Sequence, residues 1–502
     1  DQQHQGLTQA EALAERALLL KTAPHLVSPL PFFLPVYEGD KNGRGILSLG
    51  LWLYDLLALF RTPGFHQRLS KESLLKEMPF LKPEGLKGGF RYFDASMWDD
   101  VLAVENLRAA SFEGAAVANY VQAVAPIWDQ QRVAGFRIRD GESGREIALR
   151  SHTTIVCAGP WTDALGFSLS SSWPKWLNLS KGVHLVFDLK RIPVTGAMVM
   201  SHPSDGRIAF VIPRPDYGSG VVIVGTTDSE AHEDPEKVQV NQKDVDYLMD
   251  LLRRYYPGLG LTHQDILSAY VGVRPLMAAQ KPKPGDSQDA SRVLQKVSRE
   301  HHIDLGPGGV VVVAGGKYTT ARRMAQEIVE FTLSSWKKRA RQKRAPEFPS
   351  GLKRPLTRQP VNPTATPQAL RQARLQAAQR NWEIPEVIYS RYGAQALTLY
   401  ETKAQGRSEA DLDSQDPEGF PWLEAQLRHS IRTEMVMRLE DFYFRRVPLF
   451  ASRKDHGMPW AKRLAQIWAE ERGVDLKEVE LEIVALQSEF ARRSKVAHAE
   501  SK

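Results

Sequence analysis

Hydrophobic positions recur along the chain in two periods, with unbroken apolar runs between them. Val310 to Val313 form one such run. After Gly315-Gly316-Lys317-Tyr318-Thr319-Thr320 the pattern turns helical: Ala321, Met324, Ala325, Ile328 and Val329 fall at i, i+3, i+4, i+7 and i+8. This predicts a strand buried on both faces in the middle of a parallel sheet, then a tight turn and an amphipathic helix. Thr153 to Trp161 has the same texture, a short apolar strand closing on Cys157-Ala158-Gly159-Pro160-Trp161. Before it, Gly141-Glu142-Ser143-Gly144 reads as the turn of a hairpin between Val133–Ile138 and Glu146–Leu149. A helix runs over Asp99–Ala110 through Val101, Leu102, Val104, Glu105 and Leu107, and Gly114 then leads into an apolar strand over Ala115–Ala118. The capping box Thr8-Gln9-Ala10-Glu11 opens an N-terminal helix that ends near Lys21.

A second texture fills Lys181 to Pro275. Strands at His184–Phe187, Ala197–Met200, Ile208–Pro213, Val221–Val224 and Ala269–Val273 follow one another without regular helices between them. They predict a mostly antiparallel sheet, and so a second domain inserted into the first. Ser28–Tyr37 is too rich in proline for a helix and fits an extended edge segment. Ile46–Phe60 is a nearly unbroken apolar run, too short to span a bilayer, and reads as a buried core helix with a membrane interface as the alternative. Lys337, Lys338, Arg339, Arg341, Lys343 and Arg344, followed by prolines at 346, 349, 355, 360, 363 and 367, predict a solvated basic linker. From Ala369 onward the pattern is helical.

Composition narrows the class. The chain has 502 residues, 42% of them hydrophobic and 25% charged, as expected of a globular protein of several domains. One cysteine, Cys157, excludes an internal disulfide framework and a cysteine-based metal site and points to a reducing, cytoplasmic compartment. The net charge of +7 favours phosphorylated substrates or anionic membrane surfaces, and no nucleic-acid motif accompanies it. Chemistry-capable groups gather at strand ends. Bare backbone at Gly315-Gly316, a helix start and Lys317 face an anion or a carbonyl-rich ring, the alternative being an ordinary strand-to-helix turn with a solvated lysine. Gly225-Thr226-Thr227-Asp228 offers hydroxyls and a carboxylate past a buried strand. Gly272-Val273-Arg274-Pro275 fixes an arginine suited to bidentate binding of phosphate or carboxylate, or else to a structural ion pair with Asp228.

These segments, taken in order, resemble the FAD-dependent, quinone-reducing glycerol-3-phosphate dehydrogenases of the aerobic type. The resemblance rests on Ala12-Leu13-Ala14-Glu15-Arg16 with Ala23-Pro24-His25-Leu26, on Cys157 to Trp161, Lys181-Gly182-Val183-His184, Gly225 to Asp228, Gly272 to Pro275 and Gly315 to Thr320, and on the arginine-flanked aromatic segment Arg438–Arg446. It implies an α/β fold: a glutathione-reductase-type FAD-binding domain (1–28, 99–180 and 300–335) with an inserted antiparallel substrate domain (29–98 and 181–299). A basic, proline-rich linker (336–367) and a C-terminal all-α domain (368–502) complete it. It further implies that Ala158, Gly159, Gly315, Gly316, Lys317, Tyr318 and Thr319 face FAD. Arg274 and Lys317 would hold the phosphate of glycerol 3-phosphate, Thr226, Thr227 and His184 would line the same cleft, and His184, Arg274 and Lys317 would form the catalytic set. No metal is expected. The implied partners are membrane quinone and an anionic membrane surface at which the protein sits peripherally, with a homodimer left open.

The family opens with a G-x-G-x-x-G turn and a His-Gly-Gly-x-Arg-Tyr segment, and neither occurs in this chain. Gly43-Arg44-Gly45, Gly218-Ser219-Gly220 and Gly306-Pro307-Gly308 are not followed by a glycine or alanine at the required position before a helix. The expectation is a chain truncated at its N-terminus that binds FAD weakly or not at all. Two rivals remain open: an FAD-dependent amine or 2-hydroxy-acid oxidoreductase of the same fold, and a non-catalytic remnant without FAD.

Overall fold

The computed structural model describes residues 2–40, 43–57, 64–203, 205–278, 301–341, 358–404 and 419–494. The chain opens with α1 (Gln2–Thr22), β1 (Val27–Tyr37), α2 (Arg44–Leu57), β2 (Gln67–Leu69), α3 (Lys71–Glu77), β3 (Leu86–Met97) and α4 (Asp99–Phe112). A meander of β4 (Val121–Asp129), β5 (Arg132–Asp140) and β6 (Glu146–Arg150) then leads to β7 (Ile155–Val156) and α5 (Thr162–Leu169). The inserted strands follow as β8 (Leu177–Asp188), β9 (Ala197–Ser201), β10 (Ile208–Arg214), β11 (Val221–Gly225), β12 (Ser229–Glu230) and, after α6 (Gln242–Tyr255), β13 (Ile266–Met277). The chain returns through β14 (His301–Leu305), β15 (Val311–Gly315) and α7 (Ala321–Arg341).

Two sheets position the site. The larger has nine strands in the order β12-β8-β11-β10-β9-β1-β3-β2, with β13 also paired to β8. The smaller has the order β14-β15-β7, with β15 parallel to β7 and antiparallel to β14. Val311 to Ala314 are buried, as four apolar residues in succession require, but the sheet around them is mixed rather than wholly parallel.

Several expectations are corrected. Ser28–Tyr37 is not an edge: β1 lies inside the large sheet, between β3 and β9. Pro29, Pro31 and Pro35 occupy alternate positions, so their missing N–H groups fall on one side of the strand. The other side is left able to pair with β3 along its length. The inserted domain also contains a regular helix, α6. Its signal was present in the Asn241 capping box and in Val245, Leu248, Met249 and Leu252 at i, i+3, i+4 and i+7. Those four side chains are fully buried against the sheet, each contributing about 1.5–3 kcal/mol of gross burial energy. The strand expected at Ala115–Ala118 is instead β4, beginning at Val121.

The apolar run from Ile46 is no core helix. In α2 the side chains of Ile46, Leu49, Trp52, Leu53 and Leu56 are exposed, Leu49 to 73%; residues 58–60 of that run lie outside the described residues. The basic cluster does not begin a linker either, because Trp336 to Arg341 continue α7 and Arg339 donates to the carbonyl of Gly309 at 2.8 Å. Lys343, Arg344 and the prolines at 346, 349 and 355 lie outside the described residues. Beyond them the described chain is helical from Pro367–Gln379 to Leu476–Ser494. This helical part meets the rest where Arg391 stacks on Trp98 at 4.7 Å and where Leu449–Ser452 and Leu476–Ser494 pack on β13.

Candidate active site

Alternation along β8 divides its side chains between two jobs. Lys181, Val183 and Leu185 point to the core side, where Lys181 meets Asp244 of α6 in a buried ion pair at 2.6 Å. Ser180, Gly182 and His184 share the opposite face. Their register partners on β13 are Arg274, Gly272 and Tyr270, while Gly225 of β11 lies opposite His184 on its other side.

On that face Arg274 is held, as an arginine between Gly272 and Pro275 should be. Its Nη2 donates to Thr226 Oγ1 at 2.7 Å, and both Nη1 and Nη2 lie 3.4 Å from the Thr227 carbonyl. Nη1 also donates to Ser180 Oγ at 3.5 Å and stands 3.6 Å from Asp228 Oδ1. Ser180 in turn donates a short hydrogen bond to Asp228. The ion pair with Asp228 is therefore present, and the side chain still keeps 30% of its surface exposed. Thr227 does not line the cleft freely. It is buried, and its hydroxyl accepts from the Val183 N–H at 3.0 Å.

His184 stacks on Tyr270 with ring centroids 4.9 Å apart and 13° between planes. A Cβ on Gly225 would come within 2.3 Å of His184 Cδ2, so glycine is what admits the ring. Burial, with a smaller contribution from the Arg274 guanidinium, lowers the imidazole to about 4. It is neutral at pH 7. Its Nδ1 is enclosed without a hydrogen-bond partner among the described residues.

The small sheet supplies two glycine turns. Gly159 follows β7 with φ +53, and Gly315 and Gly316 close β15 with φ +73 and +98. These left-handed conformations explain the glycines, and at Gly316 a Cβ would also meet Met324 Cε at 2.3 Å. Beyond them Lys317 is exposed, with no side-chain partner among the described residues. Ion pairs from Glu15 to Arg322 (2.5 Å) and from Glu11 to Arg323 (3.1 Å) fix α1 against the start of α7. β13 packs on both β15 and the Gly159–Trp161 turn, which sets the strand that carries Arg274 and Tyr270 beside the small sheet. Bare backbone at two strand ends, a helix start without acidic residues and an exposed lysine suit an electron-rich ring such as a flavin.

Four residues of this arrangement escaped the candidate set. Ser180, Gly182, Gly225 and Tyr270 stand in or beside motifs already singled out, but their roles come from cross-strand register, which motif spacing does not encode. Asp228, expected as a carboxylate past a buried strand and as a possible ion-pair partner of Arg274, is that partner.

Residues 4–330 match the family model described as FAD dependent oxidoreductase, and residues 365–479 match the C-terminal domain of alpha-glycerophosphate oxidase. The aerobic glycerol-3-phosphate dehydrogenase of Staphylococcus haemolyticus is 31% identical over 444 residues, 87% of this chain and 75% of the relative. That of Staphylococcus saprophyticus is 29% identical over 468 residues, 92% of this chain and 79% of the relative. Among solved structures, the glycerol-3-phosphate dehydrogenase from Bacillus halodurans complexed with FAD shares the fold, with a TM-score of 0.75 and 24% identity. That match covers 97% of this chain and 86% of the other.

Proposed function

Because the chain belongs to the FAD-dependent oxidoreductases, and within them to the aerobic glycerol-3-phosphate dehydrogenases, we propose that it oxidises sn-glycerol 3-phosphate to dihydroxyacetone phosphate, with quinone as the onward electron acceptor. FAD, when bound, supplies the acceptor for the hydride that leaves the secondary carbon. Ala158, Gly159, Gly315, Gly316, Lys317, Tyr318 and Thr319 would hold its ring. The observation that carries the reading is the held Arg274 on β13, a strand that packs on β15, whose closing turn leads to the exposed Lys317. Two cations suit a phosphate dianion better than the single carboxylate of a 2-hydroxy acid. Thr226 fixes one guanidinium nitrogen, and His184, in its neutral form, is the group on this face that would take the hydroxyl proton.

The test is Arg274→Lys in the flavin-loaded enzyme, which keeps the charge and removes the fork. Transition-state stabilisation for glycerol 3-phosphate should fall by about 1.5–3 kcal/mol, with flavin content and Tm nearly unchanged. An equal loss of kcat/KM for glycerol and for its phosphate, together with a lower Tm, would leave only the ion pair with Asp228 and end the clamp assignment. A colourless protein without flavin absorbance would favour the non-catalytic remnant.

The same proposal places the protein peripherally at the cytoplasmic face of an anionic membrane. No helix among the described residues is long and apolar enough to cross one. The exposed apolar face of α2 and the net charge of +7 support a surface attachment. Co-sedimentation should be strong with acidic vesicles and weaken with salt. Salt-indifferent binding would remove the electrostatic part, and a homodimer that buries α2 would remove the apolar part.

A further inference from the structure

The guanidinium of Arg274 is seated on another residue's missing side chain. Gly182 has φ outside the left-handed region, so its backbone does not demand glycine. What demands it is space: a Cβ there would lie 2.1 Å from Arg274 Nη2, 2.5 Å from Cζ and 2.6 Å from Nη1. Nearly equal distances to three atoms of the plane mean that the guanidinium lies with its face on the bare α-carbon of Gly182. Its edge is set separately. Nη1 meets Ser180 Oγ, which is fully buried and hydrogen-bonded to Asp228, and Nη2 meets Thr226 Oγ1. Asp228 is itself held through its carbonyl, which accepts from Arg207 Nη1.

We infer that Gly182 and the Ser180–Asp228 pair are positioning residues that together fix the plane of Arg274, and thereby how it meets the phosphate of the substrate. This rests on the reading of Arg274 as the phosphate clamp. Gly182 fixes the face, because any side chain there pushes the guanidinium out into the cleft. Asp228, through Ser180, fixes rotation within the plane. Without Asp228 the fork would keep its charge but lose the alignment that two parallel N–H···O bonds require. Asp228 thus acts with the clamp, although its charge alone would compete with an incoming phosphate.

Calorimetric binding of glycerol 3-phosphate to the full chain tests this with Gly182→Ala, Asp228→Asn, Arg274→Ala and the double variant Gly182→Ala/Arg274→Ala. The clashing atoms at Gly182 are the far end of a flexible side chain, so Gly182→Ala should fold with an unchanged Tm while its Kd rises about tenfold, the scale of one lost charged hydrogen bond. In the Arg274→Ala background the same change should add nothing, because Gly182 acts only through the arginine. Asp228→Asn should also weaken binding. Equal Kd for wild type and Gly182→Ala, full additivity in the double variant, or tighter binding by Asp228→Asn would each overturn the inference while leaving the clamp itself standing. No binding by the wild type, or binding unaffected by Arg274→Ala, would bring down the clamp reading and this inference with it.

Discussion

The two regions that meet at the site are built on opposite principles. On the nine-stranded sheet the polar side chains around β8 are held by packing and pairing: Lys181 on Asp244 at the core side, and on the other face Arg274 on Thr226, Ser180 and Asp228, with the His184 ring between Tyr270 and Gly225. On the three-stranded sheet the corresponding turn offers bare glycine backbone and an exposed Lys317 without a side-chain partner among the described residues. Long antiparallel registers bring three strands together at β8 and let side chains complete one another's hydrogen bonds before any ligand arrives. A strand-to-helix turn has only its own backbone to work with. The Arg274 face is therefore preorganised, and the turn leaves its lysine and amides open to a ligand.

The comparison breaks most visibly at the core of the large sheet. Asp244→Ala strips the partner from buried Lys181 and the reciprocal half of the Asn241 capping box from α6, and should cost about 3–5 kcal/mol of unfolding free energy in urea titration. A loss under about 1 kcal/mol would mean that the pair is no part of the preorganisation. Next is the acid limb. His184 titrates at about 4 in the fold against about 6.5 unfolded, so between these values the unfolded chain binds a proton that the native state does not. Its contribution is whole above pH 6.5 and is lost as pH falls towards 4, by up to about 3 kcal/mol. His184→Asn should remove one proton from the slope of stability against pH over that window; identical slopes would show the imidazole to be solvated.

The small sheet should respond less. Gly316→Ala places a side chain at φ +98 and against the flexible end of Met324, and should cost about 1–3 kcal/mol in Tm-derived stability. A neutral result would show the turn able to relax. Lys317→Met should change stability by less than about 0.5 kcal/mol while weakening glycerol 3-phosphate binding. A clear fall in Tm for this variant would contradict the partnerless placement and erase the contrast between the two regions.

Much of the site was legible in the chain because it depends on neighbours in sequence. Four valines before Gly315-Gly316 suffice for a buried strand and a turn, and Gly272 and Pro275 mark a restrained arginine wherever the strand lies. The alternation within β8 likewise decides that Ser180, Gly182 and His184 share a face. Sequence could not decide what that face meets. That Gly182 underlies Arg274, that Gly225 admits His184 and that Ser180 bridges to Asp228 depend on the pairing of β8 with β11 and β13, whose register is set by packing across the whole sheet. The same holds for the two misread segments. Local composition made β1 an edge and α2 a core helix, but whether a strand has two neighbours, and whether an apolar helix has anything to cover it, is settled only when distant parts of the chain take their places around it.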